Sequence, residues 1–142
     1  MNEQQNLNET DYLKNLTIAS EIYLNKKEIP TAVLLNLVPD NDAEFEVYYG
    51  TTYPDHKLSE TGFFYNTSQL IFEQVTAHKN NDFYLPSLQL ISYADGEFAE
   101  IFIEYLKIII EMDKQKFCAA VREEKYRSYN PIKYYFEMNH CK

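Results

Sequence analysis

The side chains best suited to metal or nucleophilic chemistry are few in this chain. They are three histidines and two cysteines: His56, His78, His140, Cys118 and Cys141. No histidine has another histidine or a cysteine three or four positions away, and a set made of Cys118, His140 and Cys141 would lack a fourth ligand. We therefore predict no metal site and no cofactor. The cysteines lie far apart, and we expect both to be free thiols.

Motifs for covalent or phosphate chemistry are also missing. The sequence has no G-x-S-x-G, and its three glycines are too few for a loop that cradles phosphate. Carboxylates are plentiful, but Glu100 and Glu104 fall on a strip of a predicted helix that should face water, where they are poorly placed for general acid catalysis. The sequence predicts a protein that is not an enzyme.

The charge of the chain is negative and unevenly distributed. Met1–Asp113 has 19 acidic and 6 basic residues, whereas Lys114–Lys142 has 3 acidic and 7 basic residues, within a net charge of −9. An acidic body repels phosphates, which argues against nucleic acid as a partner even though the tail mixes cations with tyrosines. The same charge favours association with a basic protein.

Aromatic residues add a second reason to expect a binding surface. The chain has thirteen tyrosines and nine phenylalanines, and such rings anchor many protein interfaces. The sequence therefore predicts an inhibitor of a basic protein, such as an immunity protein that neutralises a toxin nuclease. The expected partner-binding residues are Asp40, Asp42, Glu44, Glu46, Tyr48, Tyr53, Asp55, Glu60, Glu100 and Glu104. The alternative is an adaptor or structural protein without catalytic activity, which self-associates through its tyrosine-rich tail.

One helix is expected to organise the fold. Over residues 97–112 the apolar side chains recur at helical spacing and cover a broad face: Phe98, Ile101, Phe102, Tyr105, Leu106, Ile108, Ile109 and Met112. Asp95 could cap this helix, and glutamates and one lysine form the opposite strip. We expect it to be the central, buried helix, with a break after Met112.

The remaining segments predict an α+β fold. A helix is expected over 11–25, and another after Thr67 or Ser68. Residues 31–38 suit either a short buried helix or a strand, and the simplest interpretation pairs 32–38 with 44–49 as a β-hairpin, because Phe45, Val47 and Tyr49 alternate with two glutamates. Residues 88–91 suit a strand or a short helix, and 132–136 could add an edge strand. We predict one domain over 1–142 with residues 1–9 disordered; the alternative is an all-α domain.

Targeting signals are not evident. The first nine residues are polar and do not resemble a secretory signal. The longest apolar run, around Ile108–Ile110, is interrupted by Glu104, Lys107 and Glu111, which argues against a membrane span. The sequence predicts a cytoplasmic protein.

Overall fold

The structure is a computed structural model that describes residues 3–94, 99–123, 129 and 131–141, with side chains from residue 11 onward. Every regular element in these ranges is a helix. The α-helices are α1 (Glu3–Leu24), α2 (Thr31–Leu35), α3 (Asp42–Tyr49), α4 (Phe63–Thr76), α5 (Tyr84–Ile91), α6 (Ala99–Met112), α7 (Lys114–Glu123) and α8 (Ile132–Met138). Two short 3₁₀ helices cover Gly50–Thr52 and Asn81–Phe83.

The chain divides into two compact units. The first is Met1–Ile71 and the second is Phe72–Lys142, so the boundary falls within α4. The prediction of one domain, and that of disorder over residues 1–9, stay predictions. The first helix begins at Glu3, eight positions before the start expected from the sequence.

The α+β prediction is wrong, and the all-α alternative describes the fold. The predicted hairpin is replaced by α2 and α3. The alternation in residues 44–49 was misleading because Phe45 and Tyr48 are buried while Val47 is exposed, which is the i, i+3 spacing of a helix. The Asn41 side chain accepts the backbone N–H of Glu44 at 2.8 Å, so a cap begins a helix where a strand was expected.

Two other segments are helical where strands were considered. Residues 88–91 belong to α5, which resolves the choice between strand and helix, and the expected edge strand at 132–136 is α8. Helix α4 begins earlier than predicted, at Phe63, and buries both Phe63 and Phe64. Gly62 precedes this helix with a φ of +78°, a conformation that favours glycine. A Cβ at this position would also lie 2.9 Å from the side-chain amide nitrogen of Asn66.

Helix α6 is central to the second unit, although its buried face is narrower than predicted. Phe102, Leu106, Ile109 and Ile110 are buried, and the Phe102 ring packs edge-on against Phe72 with 5.0 Å between centroids. Other residues of the predicted face are exposed: Ile101, Ile108 and Met112. Phe98 and the expected cap Asp95 lie outside the described residues. The predicted break is confirmed, since α6 ends at Met112 and α7 begins at Lys114.

The expectation of two free thiols is wrong. A disulfide joins Cys118 of α7 to Cys141, which follows α8. The two half-cystines are 23 positions apart, and they meet because α8 packs against α7. Such a pairing depends on helix packing, which the spacing of the cysteines does not reveal.

Candidate partner-binding groove

The first unit contains an open groove of about 460 Å³ that is lined mostly by polar residues. Helix α1, the end of α2 and the turn into α3 form its walls. Its lining residues are Asp11, Tyr12, Asn15, Leu35, Asn36, Val38, Asp40, Asn41 and Glu44. We call this feature the acidic groove.

Local hydrogen bonds hold the walls of the acidic groove in place. The buried Tyr12 hydroxyl donates to the backbone carbonyl of Leu37 at 2.6 Å, which fixes α1 against the segment after α2. The backbone N–H of Asp40 donates to Glu44 Oε1 at 2.9 Å. Together with the Asn41 cap, this bond resembles a capping box, in which side chains and backbone groups at a helix start satisfy one another. The carboxylates of Asp40 and Glu44 are thus carried by an ordered turn.

The groove presents negative charge that its own neighbours leave unpaired. Among the described residues, no lysine or arginine forms an ion pair with Asp11, Asp40 or Glu44. The described ion pair lies in the second unit, where the Lys107 ammonium is 3.4 Å from the Glu104 carboxylate. The described part of the chain also holds no group of histidine, cysteine and carboxylate ligands that suits a metal ion. The carboxylates and amide oxygens that line the groove are groups that can accept hydrogen bonds from an organic cation, such as a lysine or arginine side chain.

Most of the predicted acidic residues are accessible. Asp40 and Glu44 line the acidic groove, and Asp42 and Glu46 are exposed on α3. Asp55 and Glu60 are exposed in the loop between the first 3₁₀ helix and α4, and Tyr53 in the same loop is 47% exposed.

The other two predicted acids lie in the second unit. Glu100 and Glu104 are exposed on α6. The Glu104 carboxylate accepts a hydrogen bond from Lys107, and this contact raises the pKa of the Lys107 ammonium. Glu104 therefore already has a cationic partner, unlike Asp40 and Glu44 of the acidic groove.

Tyr48 belongs to the core, and we leave it out of the binding surface. Its side chain is fully buried, and its hydroxyl lies 2.6 Å from the Thr67 hydroxyl and 3.0 Å from that of Ser68. Burial raises the pKa of Tyr48 to about 12, although the hydrogen bonds from Ser68 and Thr67 lower it in part. Its ring centroid is 4.7 Å from that of Phe64. The hydroxyl groups of Thr67 and Ser68 thus form hydrogen bonds with Tyr48, and neither residue is the helix cap that the sequence predicted.

Four polar residues of the acidic groove were not predicted from the sequence to be site residues: Asp11, Asn15, Asn36 and Asn41. The three asparagines carry no charge, and Asp11 is the first residue of the helix expected over 11–25. A usable signal did exist, because Asn41 followed three positions later by Glu44 is a helix-start pattern. Recognising it would have placed Asp40 and Glu44 on one turn.

No protein-family model, no curated protein sequence and no solved structure matches this chain. The functional argument therefore rests on the chemistry of its own residues. Among the helices that the structure describes, none combines the length and the apolar character needed to cross a bilayer.

Proposed function

We propose that this protein binds a basic protein and inhibits it, as an immunity protein neutralises a toxin nuclease. The observation that supports the proposal best is the acidic groove, where Asp11, Asp40 and Glu44 lack a described cationic neighbour. A cationic side chain of the partner would enter this groove. Asp42 and Glu46 on the adjoining helix would extend the negative surface around it.

The charge of the first unit supports this mode of binding. Met1–Ile71 contains 11 acidic and 4 basic residues. Long-range attraction of that kind speeds encounter with a basic partner and weakens when salt screens it. Carboxylates without an internal ion pair give up only their hydration on binding, so the partner's cations do not compete with a cation of this chain.

The experiment compares capture of partners by two variants that remove the same charge. One variant carries Asp40→Asn and Glu44→Gln in the acidic groove, and the other carries Glu21→Gln and Glu28→Gln at exposed positions outside it. Extract from the protein's own cell is passed over wild type and both variants, and bound proteins are identified by mass spectrometry. The proposal expects a basic protein on wild type and the control, weakened on the groove variant, and inhibited in its own activity. Equal capture by both variants would contradict it.

We propose the cytoplasm as the compartment of this interaction. The Cys118–Cys141 disulfide argues the other way, since disulfides are rare in reducing compartments. Thiol labelling in intact cells tests this part: a cytoplasmic protein would keep Cys118 and Cys141 reduced in the cell, and the disulfide would form only after oxidation. A blocked pair would place the protein in an oxidising compartment.

A second candidate function is that of an adaptor that self-associates through its C-terminal segment. Tyr134 of α8 is 58% exposed, and Tyr129 and Met138 are exposed as well. Exposed aromatic and methionine side chains are enriched at interfaces. Sedimentation of wild type and Tyr134→Ser over a range of concentrations tests this function, which predicts a dimer that the substitution weakens. A monomer at all concentrations would exclude it.

A further inference from the structure

The second unit contains a pocket of about 340 Å³ whose floor is apolar and whose rim is charged. Val75 from α4, Tyr84 from α5 and Ile109 and Met112 from α6 supply the apolar surface. Its volume lies in the range of pockets that hold small organic molecules. We call this feature the Tyr84 pocket.

Two lysines on the rim give the Tyr84 pocket a positive balance. The Lys116 ammonium lies 4.3 Å from the centroid of the Tyr84 ring and donates to the Asn81 side-chain carbonyl. Lys79 donates to the Thr76 backbone carbonyl at 3.3 Å, which leaves its other two N–H groups for a ligand. Asp113 is the acidic residue of the lining. Two cations against one carboxylate leave a single positive charge.

Asp113 is partly occupied by its structural role. One of its carboxylate oxygens accepts the backbone N–H of Lys116 at 3.0 Å at the start of α7. This bond fixes the turn between α6 and α7 that carries Asp113 and Lys116. The carboxylate therefore has a structural role, while both lysine side chains are exposed.

Tyr84 contributes a buried hydrogen-bond donor that the described protein leaves unused. Its side chain is 6% exposed, and its hydroxyl has no partner among the described residues. Burial, with a smaller contribution from the Asp113 charge, raises the pKa of Tyr84 to about 12, so the hydroxyl keeps its proton at neutral pH. Buried donors are nearly always paired in proteins. Because this hydroxyl is inaccessible to solvent, a ligand in the pocket would contact other atoms of Tyr84.

We propose that the Tyr84 pocket binds a small organic monoanion, namely a carboxylate on an apolar body. The apolar body lies on Val75, Ile109 and Met112, and the carboxylate accepts hydrogen bonds from Lys79 and Lys116 at the rim. This site is separate from the acidic groove, and its chemistry selects the opposite charge.

The experiment is an NMR titration of the full chain with three carboxylates of different shape: phenylacetate, hexanoate and indole-3-acetate. Phenylacetamide and phenethylamine serve as neutral and cationic controls. At least one carboxylate is expected to shift amide signals of the pocket residues saturably, and the matching control is expected to bind at least about tenfold more weakly. No saturable shift with any carboxylate up to about 10 mM would overturn the proposal, as would equal binding of amide and carboxylate.

Variants separate the site from general attraction of anions. Lys116→Gln is expected to weaken carboxylate binding about tenfold, whereas Lys114→Gln, an exposed lysine of the same helix outside the lining, should change it less than about twofold. Tyr84→Phe keeps the ring and removes only the inaccessible hydroxyl, so it should change binding less than about twofold. Equal effects of Lys116→Gln and Lys114→Gln would overturn the proposal. Thermal melting of each variant confirms that it is folded.

Discussion

The two units of this chain carry the same number of acidic residues and differ in the number of basic ones. Each has 11 acidic residues, but Met1–Ile71 has 4 basic residues and Phe72–Lys142 has 9. The first unit thus carries most of the net negative charge. The acidic groove lies there, while the Tyr84 pocket of the second unit has two lysines on its rim.

The cores of the two units also differ. The first unit surrounds Tyr48 with hydroxyl groups and aromatic rings. The second packs the aliphatic and phenylalanine side chains of α6 and adds a disulfide. The number of acidic residues therefore does not distinguish the two units. They differ in where basic residues leave those acids without an ion pair, and in which side chains the core removes from the surface.

The largest expected effect comes from the core of the second unit. Phe102 is fully buried and packs against Phe72. Phe102→Ala is expected to lower the free energy of unfolding by about 4 kcal/mol, because the lost ring leaves a cavity. Ile101→Ala is the control, since Ile101 is 47% exposed on the same helix and should cost less than about 1 kcal/mol. Urea denaturation measures both, and similar losses would mean that α6 buries a different face.

Removing the disulfide should be the next largest change. Cys118→Ser opens a loop of 23 positions, and the entropy gained by the unfolded chain corresponds to about 3 kcal/mol of lost stability. Wild type in excess reductant should lose the same amount, and the variant should not respond to reductant. A wild type insensitive to reductant would show that the covalent link does not stabilise this unit.

The hydroxyl network of the first unit has a smaller effect at neutral pH. Tyr48→Phe removes the hydroxyl that contacts Thr67 and Ser68 and should cost about 1–2 kcal/mol. Thermal or urea unfolding at pH 7 measures this loss. An unchanged stability would mean that the three hydroxyl groups are as well hydrated in the unfolded chain as they are paired in the core.

The same substitution changes the response to alkali. The pKa of Tyr48 is raised from 10.0 to about 12 in the folded protein, so the unfolded chain loses this proton first as the pH rises. The stability that it contributes is complete below pH 10 and is lost between pH 10 and about 12, by up to roughly 3 kcal/mol. Tyr48→Phe should therefore show a shallower fall in stability over that interval. Parallel curves for wild type and variant would contradict the burial of this hydroxyl.

The smallest expected effect concerns the turn that carries the acidic groove. Asn41→Ala removes the side-chain cap of α3 and should cost about 1 kcal/mol. Asn41→Asp keeps an acceptor oxygen and should restore most of that loss. Chemical denaturation distinguishes the two. Equal losses for both variants would indicate that the cap does not stabilise the start of α3.

The sequence predicted the long, strongly periodic helix well and the short segments poorly. The apolar spacing around Phe102 and Leu106 identified α6, and the charged residues after Met112 marked its end. In residues 44–49 a helix and a strand both fit the pattern, and the outcome depended on the Asn41 cap and on which rings the core accepted. Short runs carry too few periods to decide this alone.

Whether the predicted acids bind a partner stays a prediction, and their arrangement was not foreseen from the sequence. Asp40 and Glu44 were predicted to be binding residues, and the structure places both in one groove. Tyr48 was misplaced because nothing in its sequence neighbourhood shows that Thr67 and Ser68 would pair with its hydroxyl. Asn36 and Asn15 join the groove through the packing of α1 against the segment after α2, which a linear pattern does not encode.

The most direct test measures the affinity for the captured basic partner at salt concentrations of about 0.05 M and about 0.3 M. Wild type and the control with Glu21→Gln and Glu28→Gln should both lose about tenfold in affinity between the two concentrations. The variant with Asp40→Asn and Glu44→Gln should bind weakly at low salt and respond little to added salt. If that variant matched wild type at both concentrations, the acidic groove would not be the binding surface.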